Sequence, residues 1–283
     1  MTIQEAKRNI IHQLKTIYEE SEAENISDLV IEHLTGTKRT DRIINKEKLI
    51  SGKQESQLNK YMDRLLQHEP VQYVLNEAWF NGLKFYVDKN VLIPRPETEE
   101  LVEWIISDCK FPIETLSVLD IGSGSGCIPL ALKKRLGKAD VWSCDVSPEA
   151  LRVANQNATV LGVNVKFIEL DFLREEQREN LPSFDIVVSN PPYIPEKDKE
   201  NMSLNVIDHE PATALFVPDD NALIFYKGIA DFGKKHLTKN GIIYMEMNES
   251  FGKKISSMFQ SEGYKTVIKN DMQGKERMIK AFY

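Results

Sequence analysis

A glycine-rich segment follows an apolar run in the middle of the chain. Residues 117–121 are followed by glycines at three alternate positions and then by a helical pattern at 128–136. Glycine lets the backbone approach a ligand where a side chain would collide, and the start of a helix offers unpaired N–H groups. We therefore predict a nucleotide site in this turn, with the candidate binding residues Gly122, Ser123, Gly124, Ser125 and Gly126.

The spacing of the glycines differs from that of a dinucleotide fingerprint. That fingerprint requires its third glycine at position 127, where this chain has Cys127. A site for a pyrophosphate is therefore disfavoured.

Polar and aromatic residues end the next two apolar runs. Asp145 stands at the distance expected for a carboxylate that accepts hydrogen bonds from ribose hydroxyls. Asp171 and Phe172 follow, where an acid can accept from the amino group of adenine and an aromatic ring can lie against the base. Alone, Asp145 could cap the helix that starts at Ser147-Pro148, and Phe172 could be a core residue. Together with the glycine turn they form a set at strand ends, which is where such folds bind ligands.

The segment 184–193 combines an apolar strand with an unusual exit, Asn190-Pro191-Pro192-Tyr193. The two prolines remove two N–H donors and fix two φ angles, so the loop is rigid and its carbonyl groups are free to accept hydrogen bonds. Such a loop suits a ligand that is rich in donors. We therefore take Asn190, Pro191 and Tyr193 as candidate catalytic residues and 190–193 as the candidate substrate site.

These residues require a fold that brings the ends of several strands together. After residue 116, apolar runs typical of strands alternate with helical patterns. The predicted strands are 117–121, 139–144, 165–170, 186–189, 242–245 and 264–268, with 277–283 returning beside the last of them. The predicted helices are 97–106, 128–136, 148–161, 222–237 and 251–262. This alternation predicts an α/β fold with a doubly wound sheet.

The first 70 residues show helical patterns and no catalytic cluster. Thr2 and Glu5 form a capping box, and later patterns stop at Gly36 and before Pro70. We predict a small helical bundle whose core is the apolar stripe of Ile3, Ala6, Ile10, Leu14, Ile17, Ile26, Leu29, Val30, Leu34, Leu58, Tyr61, Met62, Leu65 and Leu66.

A change of period follows Pro70. Residues 71–75, 78–80 and 83–87 are predicted as strands, with a tight turn at Asn81-Gly82. The sequence thus predicts a helical domain at 1–70, a β-hairpin linker at 71–93 and a catalytic domain at 94–283.

Composition limits the class of protein. The chain has 283 residues, a formal net charge of −7 and a pI of about 5.4, which disfavours a polyanionic partner such as nucleic acid. Three cysteines without paired spacing fit a reducing cytoplasm, and no apolar run suits a signal peptide or a membrane span. The five histidines are scattered, so no metal site is predicted.

The motifs together resemble a known family. The turn at 122–126, Asp145 and Asn190-Pro191-Pro192-Tyr193 are similar to those of class I S-adenosylmethionine-dependent methyltransferases that act on exocyclic or amide nitrogens. Residues 93–99, Glu210-Pro211 and the helical N-terminus resemble the peptide chain release factor glutamine N5-methyltransferase family. This resemblance covers essentially the whole chain.

The resemblance implies a Rossmann-like class I methyltransferase sheet and a reaction. The cofactor would be S-adenosyl-L-methionine, giving S-adenosyl-L-homocysteine, and the partner would be a class I release factor whose Gly-Gly-Gln loop enters the catalytic domain. The implied cofactor contacts are 122–126, Asp145, Phe172 and Asn190, and the implied substrate contacts are Asn190, Pro191, Pro192 and Tyr193.

Those residues suggest how an amide nitrogen could be methylated. This nitrogen is a poor nucleophile because its lone pair is delocalised into the carbonyl group. The side-chain oxygen of Asn190 and the backbone carbonyl of Pro191 would hold its two N–H groups and aim the nitrogen at the methyl group. Tyr193 would pack on the flat amide and exclude water.

Two positions depart from the family pattern. Asn76 stands where glycine is usual, and asparagine can adopt the positive φ that the turn needs. Phe172 stands where tryptophan is often found, which would weaken stacking on adenine without abolishing it.

Two other substrates use the same chemistry. A ribosomal protein could present the glutamine, or a nucleic acid could present adenine N6, whose amino group is also planar. The second alternative requires base flipping and a basic surface for phosphates, and the net charge of −7 argues against it. A binding module without catalysis is disfavoured because the glycine turn and Asn190 are both intact.

Overall fold

The computed structural model describes residues 1–112 and 114–283, which form two compact units. The first unit contains residues 1–77 and 203–209, and the second contains 78–202 and 210–283. The first compact unit therefore continues beyond residue 70, the end of the predicted helical domain.

Helices make up the first unit. They are α1 (Ile3–Leu14), α2 (Glu20–Thr35), α3 (Arg39–Ile44), α4 (Gly52–Leu65) and α5 (Val71–Leu75), together with a short helix at Leu204–Ile207. The predicted capping box is confirmed, since Thr2 accepts from the N–H of Glu5 and Glu5 accepts from the N–H of Thr2. Gly36, with φ of 66°, ends α2 as predicted.

The prediction of a strand at 71–75 was wrong, because these residues form α5. Pro70 precedes the helix, and Asn76 ends it with a φ of 51°, as the departure from glycine required. A run of five residues is too short for its period to separate a strand from a helix. Val71, Val74 and Leu75 pack into the helical core, so this segment belongs to the bundle rather than to a linker.

Most of the predicted bundle core is buried, including Ile10, Leu14 and Leu65. Of the others, Ile17 and Leu34 are half-buried and two are exposed, Leu29 by 42% and Leu66 by 37%. Helical spacing gives the direction of a side chain but does not reveal where the neighbouring helices end, which explains both errors.

The second unit begins with a hairpin. Strands β1 (Ala78–Phe80) and β2 (Leu83–Phe85) pair antiparallel, with Asn81 and Gly82 in the turn at φ of 52° and 72°. The predicted tight turn is thus confirmed, and positive φ at both positions is what a two-residue hairpin loop requires.

A three-layer core follows the hairpin. Its first part consists of α6 (Pro96–Asp108), β3 (Ser117–Ile121), α7 (Cys127–Leu136), β4 (Asp140–Asp145), α8 (Pro148–Leu161), β5 (Lys166–Glu169), α9 (Glu175–Arg178) and β6 (Phe184–Ser189).

An insertion of short elements precedes the last helices and strands. It contains β7 (Ile194–Pro195), a 3₁₀ helix (Glu196–Asn201), α10 (Leu204–Ile207), α11 (Ala212–Leu215), β8 (Phe216–Val217) and a second 3₁₀ helix (Asp219–Asn221). The core then ends with α12 (Ile224–His236), β9 (Leu237–Glu246), a 3₁₀ helix (Glu249–Phe251), α13 (Gly252–Ser261), β10 (Lys265–Asn270) and β11 (Glu276–Phe282).

The seven-stranded sheet has the order β10-β11-β9-β6-β3-β4-β5. Strands β5, β4, β3, β6 and β9 run parallel, and β11 lies antiparallel between β9 and β10. The winding direction reverses between β3 and β6, which leaves a crevice at their carboxyl ends. The predicted doubly wound α/β fold is confirmed, as is the return of the last strand beside its predecessor.

Alternate residues of the strands supply the two apolar layers. Val118 and Ile186 face a core shared with α6 and α7, whereas Leu119, Val187 and Ile243 face a core shared with α12 and α13. This alternation is the period-two pattern of a sheet covered on both faces. In the described residues, no helix is both long enough and apolar enough to cross a bilayer.

Candidate active site

The glycine turn leaves β3 at Ile121 and enters α7 at Cys127. All three glycines have positive φ: Gly122 at 88°, Gly124 at 49° and Gly126 at 80°. A Cβ atom at Gly122 or Gly124 would have no protein atom within 4 Å, so the backbone there borders open space. These two glycines form a cradle that a ligand can approach closely.

Gly126 serves another purpose. A Cβ atom there would lie 2.9 Å from Leu130 Cδ1 and 3.2 Å from the Cβ of Ala154. It does not line the cavity described below. Its structural role is therefore to let α7 and α8 pack closely, and we found no geometric support for the predicted ligand contact.

Asp145 ends β4 and holds the glycine turn. Its Oδ2 accepts from the N–H of Gly124 at 2.9 Å, and its Oδ1 accepts from the N–H of Ser147 at 2.9 Å. Burial raises the pKa of this carboxyl above its usual range, against the effect of these hydrogen bonds. Ser147 caps α8 through its own hydroxyl, so that hydroxyl rather than the Asp145 carboxylate provides the N-cap contact.

A cavity at the carboxyl ends of β3, β4, β5 and β6 brings the predicted residues together. Of the predicted cofactor and substrate residues, those that line it are Gly122, Ser123, Gly124, Ser125, Asp145, Phe172, Asn190, Pro191 and Pro192. Asp171 also lines it, whereas Gly126 and Tyr193 do not.

The buried hydroxyl of Ser125 lies in the cavity wall. Within residues 1–112 and 114–283, its Oγ has no hydrogen-bond partner. A buried polar atom without a partner costs free energy, and a polar ligand in the cavity would supply one. The cradle, Ser125 and Asp145 therefore fit a ligand that carries polar groups and a ribose.

Phe172 borders the cavity with only 5% of its surface exposed. The guanidinium carbon of Arg178 lies 4.8 Å from the centre of its ring, and the Phe232 ring packs edge-on at 5.3 Å. Its ring is thus fixed by protein neighbours, which supports the position of any base placed against it. The carboxylate of Asp171 already accepts from the N–H of Leu173 and pairs with Arg174.

Asn190 follows the last residue of β6. Its Nδ2 donates to the hydroxyl of Thr98 at 3.0 Å, and the Thr98 hydroxyl donates to Oε2 of Glu246 at 2.6 Å. Within the described chain, the side-chain oxygen of Asn190 makes no hydrogen bond, so it is available as an acceptor for a ligand in the cavity.

Tyr193 lies behind the loop rather than in the cavity wall. Its hydroxyl donates to Oε1 of Glu246 at 3.0 Å, and burial raises the pKa of Tyr193. The tyrosine therefore anchors the proline loop to the end of β9. The predicted packing of its ring on a substrate amide remains a prediction.

Sequence reasoning missed Thr98 and Glu246, which lie 148 residues apart. Thr98 is 2% exposed and Glu246 is 1% exposed. The only signal for Glu246 was a charged residue that ends an apolar strand, which is a common pattern. Nothing in the spacing links Glu246 to Asn190.

An ion pair connects two further segments at the cavity. Arg95 donates to Oε1 of Glu210 at 2.5 Å, and the N–H of Ile93 donates to Oε2 of the same residue at 3.3 Å. The side chain of Glu210 is 1% exposed. This pair fixes residues 93–95 beside Pro211, which also lines the cavity.

Comparison with known proteins identifies similar chains. The model of the methyltransferase small domain matches residues 101–216, and the model of the PrmC N-terminal domain matches residues 5–75. In structure, a methyltransferase from Pyrococcus furiosus is similar with a TM-score of 0.52 and 16% identity, covering 78% of this chain and 96% of that one. That likeness supports the class I methyltransferase fold.

Full-length relatives are closer. A release factor glutamine methyltransferase from Flavobacterium psychrophilum is 39% identical, and the match covers 99% of both chains. The protein of the same name from Bacteroides thetaiotaomicron is 38% identical over 96% of this chain and 97% of its own. Both sequence identities are higher than a shared fold alone requires. The matches to the two family models also lie one after the other along this chain. This chain belongs to the release factor glutamine methyltransferase family.

Proposed function

We propose that this enzyme methylates the side-chain amide nitrogen of the glutamine in the Gly-Gly-Gln motif of class I release factors. The observation that carries the proposal is that Asn190, whose NH2 group is held by Thr98, lines the same cavity as Pro191 and the glycine cradle. The full-length relatives carry the name of this activity.

The cofactor of this reaction is S-adenosyl-L-methionine, which supplies an electrophilic methyl group when bound. The backbone at Gly122, Ser123 and Gly124 would hold its amino acid part, together with the unpartnered hydroxyl of Ser125. Asp145 would accept from its ribose hydroxyls, and Phe172 would contact its adenine. Gly126 would act indirectly, by letting α7 and α8 pack closely.

The acceptor loop orients a weak nucleophile. Asn190 accepts one N–H of the substrate amide through its side-chain oxygen, and Pro191 accepts the other through its backbone carbonyl. These bonds strengthen as positive charge builds on nitrogen. Pro192 removes a competing donor from the loop, and Tyr193 holds the loop to Glu246. With the cofactor bound, its sulfonium group would supply the methyl to this nitrogen, which would give up one proton to solvent.

We further propose a division of labour along the chain. Residues 1–77 recognise the release factor, 78–93 connect the two domains, and 94–283 carry the reaction. The match of residues 5–75 to the PrmC N-terminal domain supports a separate first domain. Because α5 packs in the bundle, the connecting segment is best placed after Glu77. We place the reaction in the cytoplasm, where release factors act.

A methyl-transfer assay tests the proposal. Purified enzyme with labelled cofactor is expected to label a class I release factor and not the same factor with its loop glutamine changed to alanine. Adenine-containing DNA and ribosomal proteins are the comparison substrates for the two alternative activities. Label on the mutated factor, or equal label on DNA, would reject the proposed substrate.

A further inference from the structure

A short chain of hydrogen bonds lies behind the acceptor loop. It joins the end of β6, the first turn of α6 and the end of β9. Asn190 donates to Thr98 at 3.0 Å, and Thr98 donates to Glu246 at 2.6 Å. The hydroxyl of Tyr193 donates to the other carboxylate oxygen at 3.0 Å. Thr98 and Glu246 are almost fully buried, so water does not compete for these bonds.

The direction of each bond follows from the number of protons available. An ionised carboxylate has none and can only accept, so both hydroxyls donate to Glu246. A threonine hydroxyl has a single proton, and Thr98 has committed it to Glu246. Thr98 can then offer only a lone pair to Asn190. The amide of Asn190 must therefore turn its NH2 group toward Thr98, which leaves its oxygen for the cavity.

We propose that Glu246 is a positioning residue that fixes the amide orientation of Asn190 through the Thr98 hydroxyl. The inference rests on the proposed function, in which the Asn190 oxygen accepts from the substrate amide. Reversal of the Asn190 side chain would place its NH2 group against the substrate NH2 group, two donors with no acceptor between them. Glu246 itself need not contact the substrate for this role.

The need for a carboxylate explains why a charged side chain is buried at position 246. Burying a charge is unfavourable, and a glutamine of the same shape could fill the site and pair with both hydroxyls. Glutamine would however offer a donor as well as an acceptor, so Thr98 could reverse its hydroxyl. Only an acceptor that carries no proton fixes the direction of both hydrogen bonds between Asn190 and Glu246.

Burial raises the pKa of Glu246, and Tyr226 on α12 donates to its backbone carbonyl at 3.1 Å. The two hydroxyl hydrogen bonds and the charge of Arg277 on β11 lower this pKa and favour the ionised carboxylate. Glu97, in the first turn of α6, opposes it. No group other than Thr98 connects the carboxylate to Asn190 in the part of the chain that the structure describes.

Three variants test the chain of hydrogen bonds behind the acceptor loop. Thr98→Val removes the hydroxyl and keeps the shape, Thr98→Ser keeps the hydroxyl, and Glu246→Gln removes the charge. We expect Thr98→Val and Glu246→Gln to lower kcat by about 10-fold to 100-fold, as misplacement of a catalytic group does. Thr98→Ser should stay within about 3-fold of wild type, and the dissociation constant for cofactor should change little in all three.

Thr238→Val is the matched control. Thr238 donates to Asp185 at 2.8 Å, which is another threonine-to-carboxylate bond, placed at the start of β6 instead of its end. This variant should lose stability without losing kcat. Normal kcat in both Thr98→Val and Glu246→Gln, an equal loss in Thr238→Val, or failure of Thr98→Ser to restore turnover would overturn the inference.

Neutron diffraction provides a readout that does not depend on turnover. In the deuterated wild-type protein, the deuteron of the Thr98 hydroxyl should point to Glu246, and the deuterated amide nitrogen of Asn190 should face Thr98. The opposite direction would reject the inference even in an active enzyme. If wild-type protein fails to label any release factor, the proposed substrate fails, while the deuteron positions still decide the role of Glu246.

Discussion

At the scale of single residues, the NH2 group and the oxygen of the Asn190 side-chain amide have different roles. Asn190 uses its NH2 group to hold Thr98 and keeps its oxygen for the substrate. Alanine removes both contacts while leaving the proline loop in place. We expect Asn190→Ala to lower kcat by at least about 100-fold, because a hydrogen bond that strengthens in the transition state is lost. Cofactor binding, measured by titration calorimetry, should weaken much less, and near-normal turnover would contradict the assigned role.

Asp145 should matter for binding rather than turnover. Its two oxygens hold the glycine turn and, in the proposed complex, the ribose. Asp145→Ala should raise the dissociation constant for S-adenosyl-L-methionine by about 10-fold or more, since hydrogen bonds to charged groups contribute about 1.5–3 kcal/mol. With saturating cofactor, kcat should recover most of its wild-type value. An unchanged titration would show that the ribose lies elsewhere.

The charge of Glu246 gives turnover a dependence on pH. Burial raises the pKa of this carboxyl, so it gains a proton at a higher pH than an exposed glutamate does. The ionised form is the one that orients Asn190, and activity should therefore be lost as pH falls through the raised pKa. The measurement is kcat at saturating cofactor, which separates this effect from that of Asp145, whose pKa burial also raises. Glu246→Gln should have low kcat without this acidic limb, and persistence of the limb would assign it to another group.

At the scale of elements, the sequence predicted best where local signals mark both ends. Helix α8 was predicted at 148–161 and forms Pro148–Leu161, because Ser147 and Pro148 start it and Gly162 ends it. The insertion between β6 and α12 was not predicted. Its helices and strands have two to six residues, which is too short to show a period.

The packing of α7 against α8 depends on a glycine, which gives a prediction about stability. Gly126→Ala would place a methyl group 2.9 Å from Leu130 Cδ1 at a φ of 80°. We expect a loss of about 2–4 kcal/mol in the free energy of unfolding, from backbone strain together with overpacking. Urea denaturation followed by circular dichroism measures this loss.

Gly162→Ala is the control for that substitution. Gly162 has a φ of 64°, but a Cβ atom there meets no atom within 4 Å. It should cost only the backbone strain of about 1–2 kcal/mol. Equal losses in the two variants would show that α7 and α8 tolerate the extra methyl group.

At the scale of the whole molecule, distant segments meet in ways that no local pattern encodes. The predicted site residues were found together because the carboxyl ends of parallel strands meet at one edge of the sheet. Glu246 follows the same rule, because it ends the parallel strand β9, whereas Thr98 does not, since α6 precedes the sheet in the chain. The pairing of Arg95 with Glu210, separated by 115 residues, is likewise visible only in the structure.

The Arg95–Glu210 pair should contribute to stability because its carboxylate is buried. Glu210→Ala would leave the Ile93 N–H without its acceptor and Arg95 without its partner. We expect the free energy of unfolding to fall by about 2–3 kcal/mol, near the lower end for a broken buried pair because Arg95 is partly exposed. Glu103→Ala breaks the exposed pair with Arg135 and should cost less than about 1 kcal/mol. Similar losses in the two variants, by thermal unfolding, would mean that burial adds nothing to the pair.

The position of β11 between β9 and β10 also determines when the molecule can be completed. Both neighbours are synthesised before residues 276–282. Until β11 is made, the backbone N–H and C=O groups along one edge of β9 and of β10 therefore have no strand to pair with. During that interval the nascent protein carries two open templates for pairing with foreign strands. Ribosomal stalling before residue 276 would thus produce a chain that has its whole cofactor cradle and acceptor loop, yet is prone to aggregate. Quality control during translation therefore bears on the supply of an enzyme that itself serves translation.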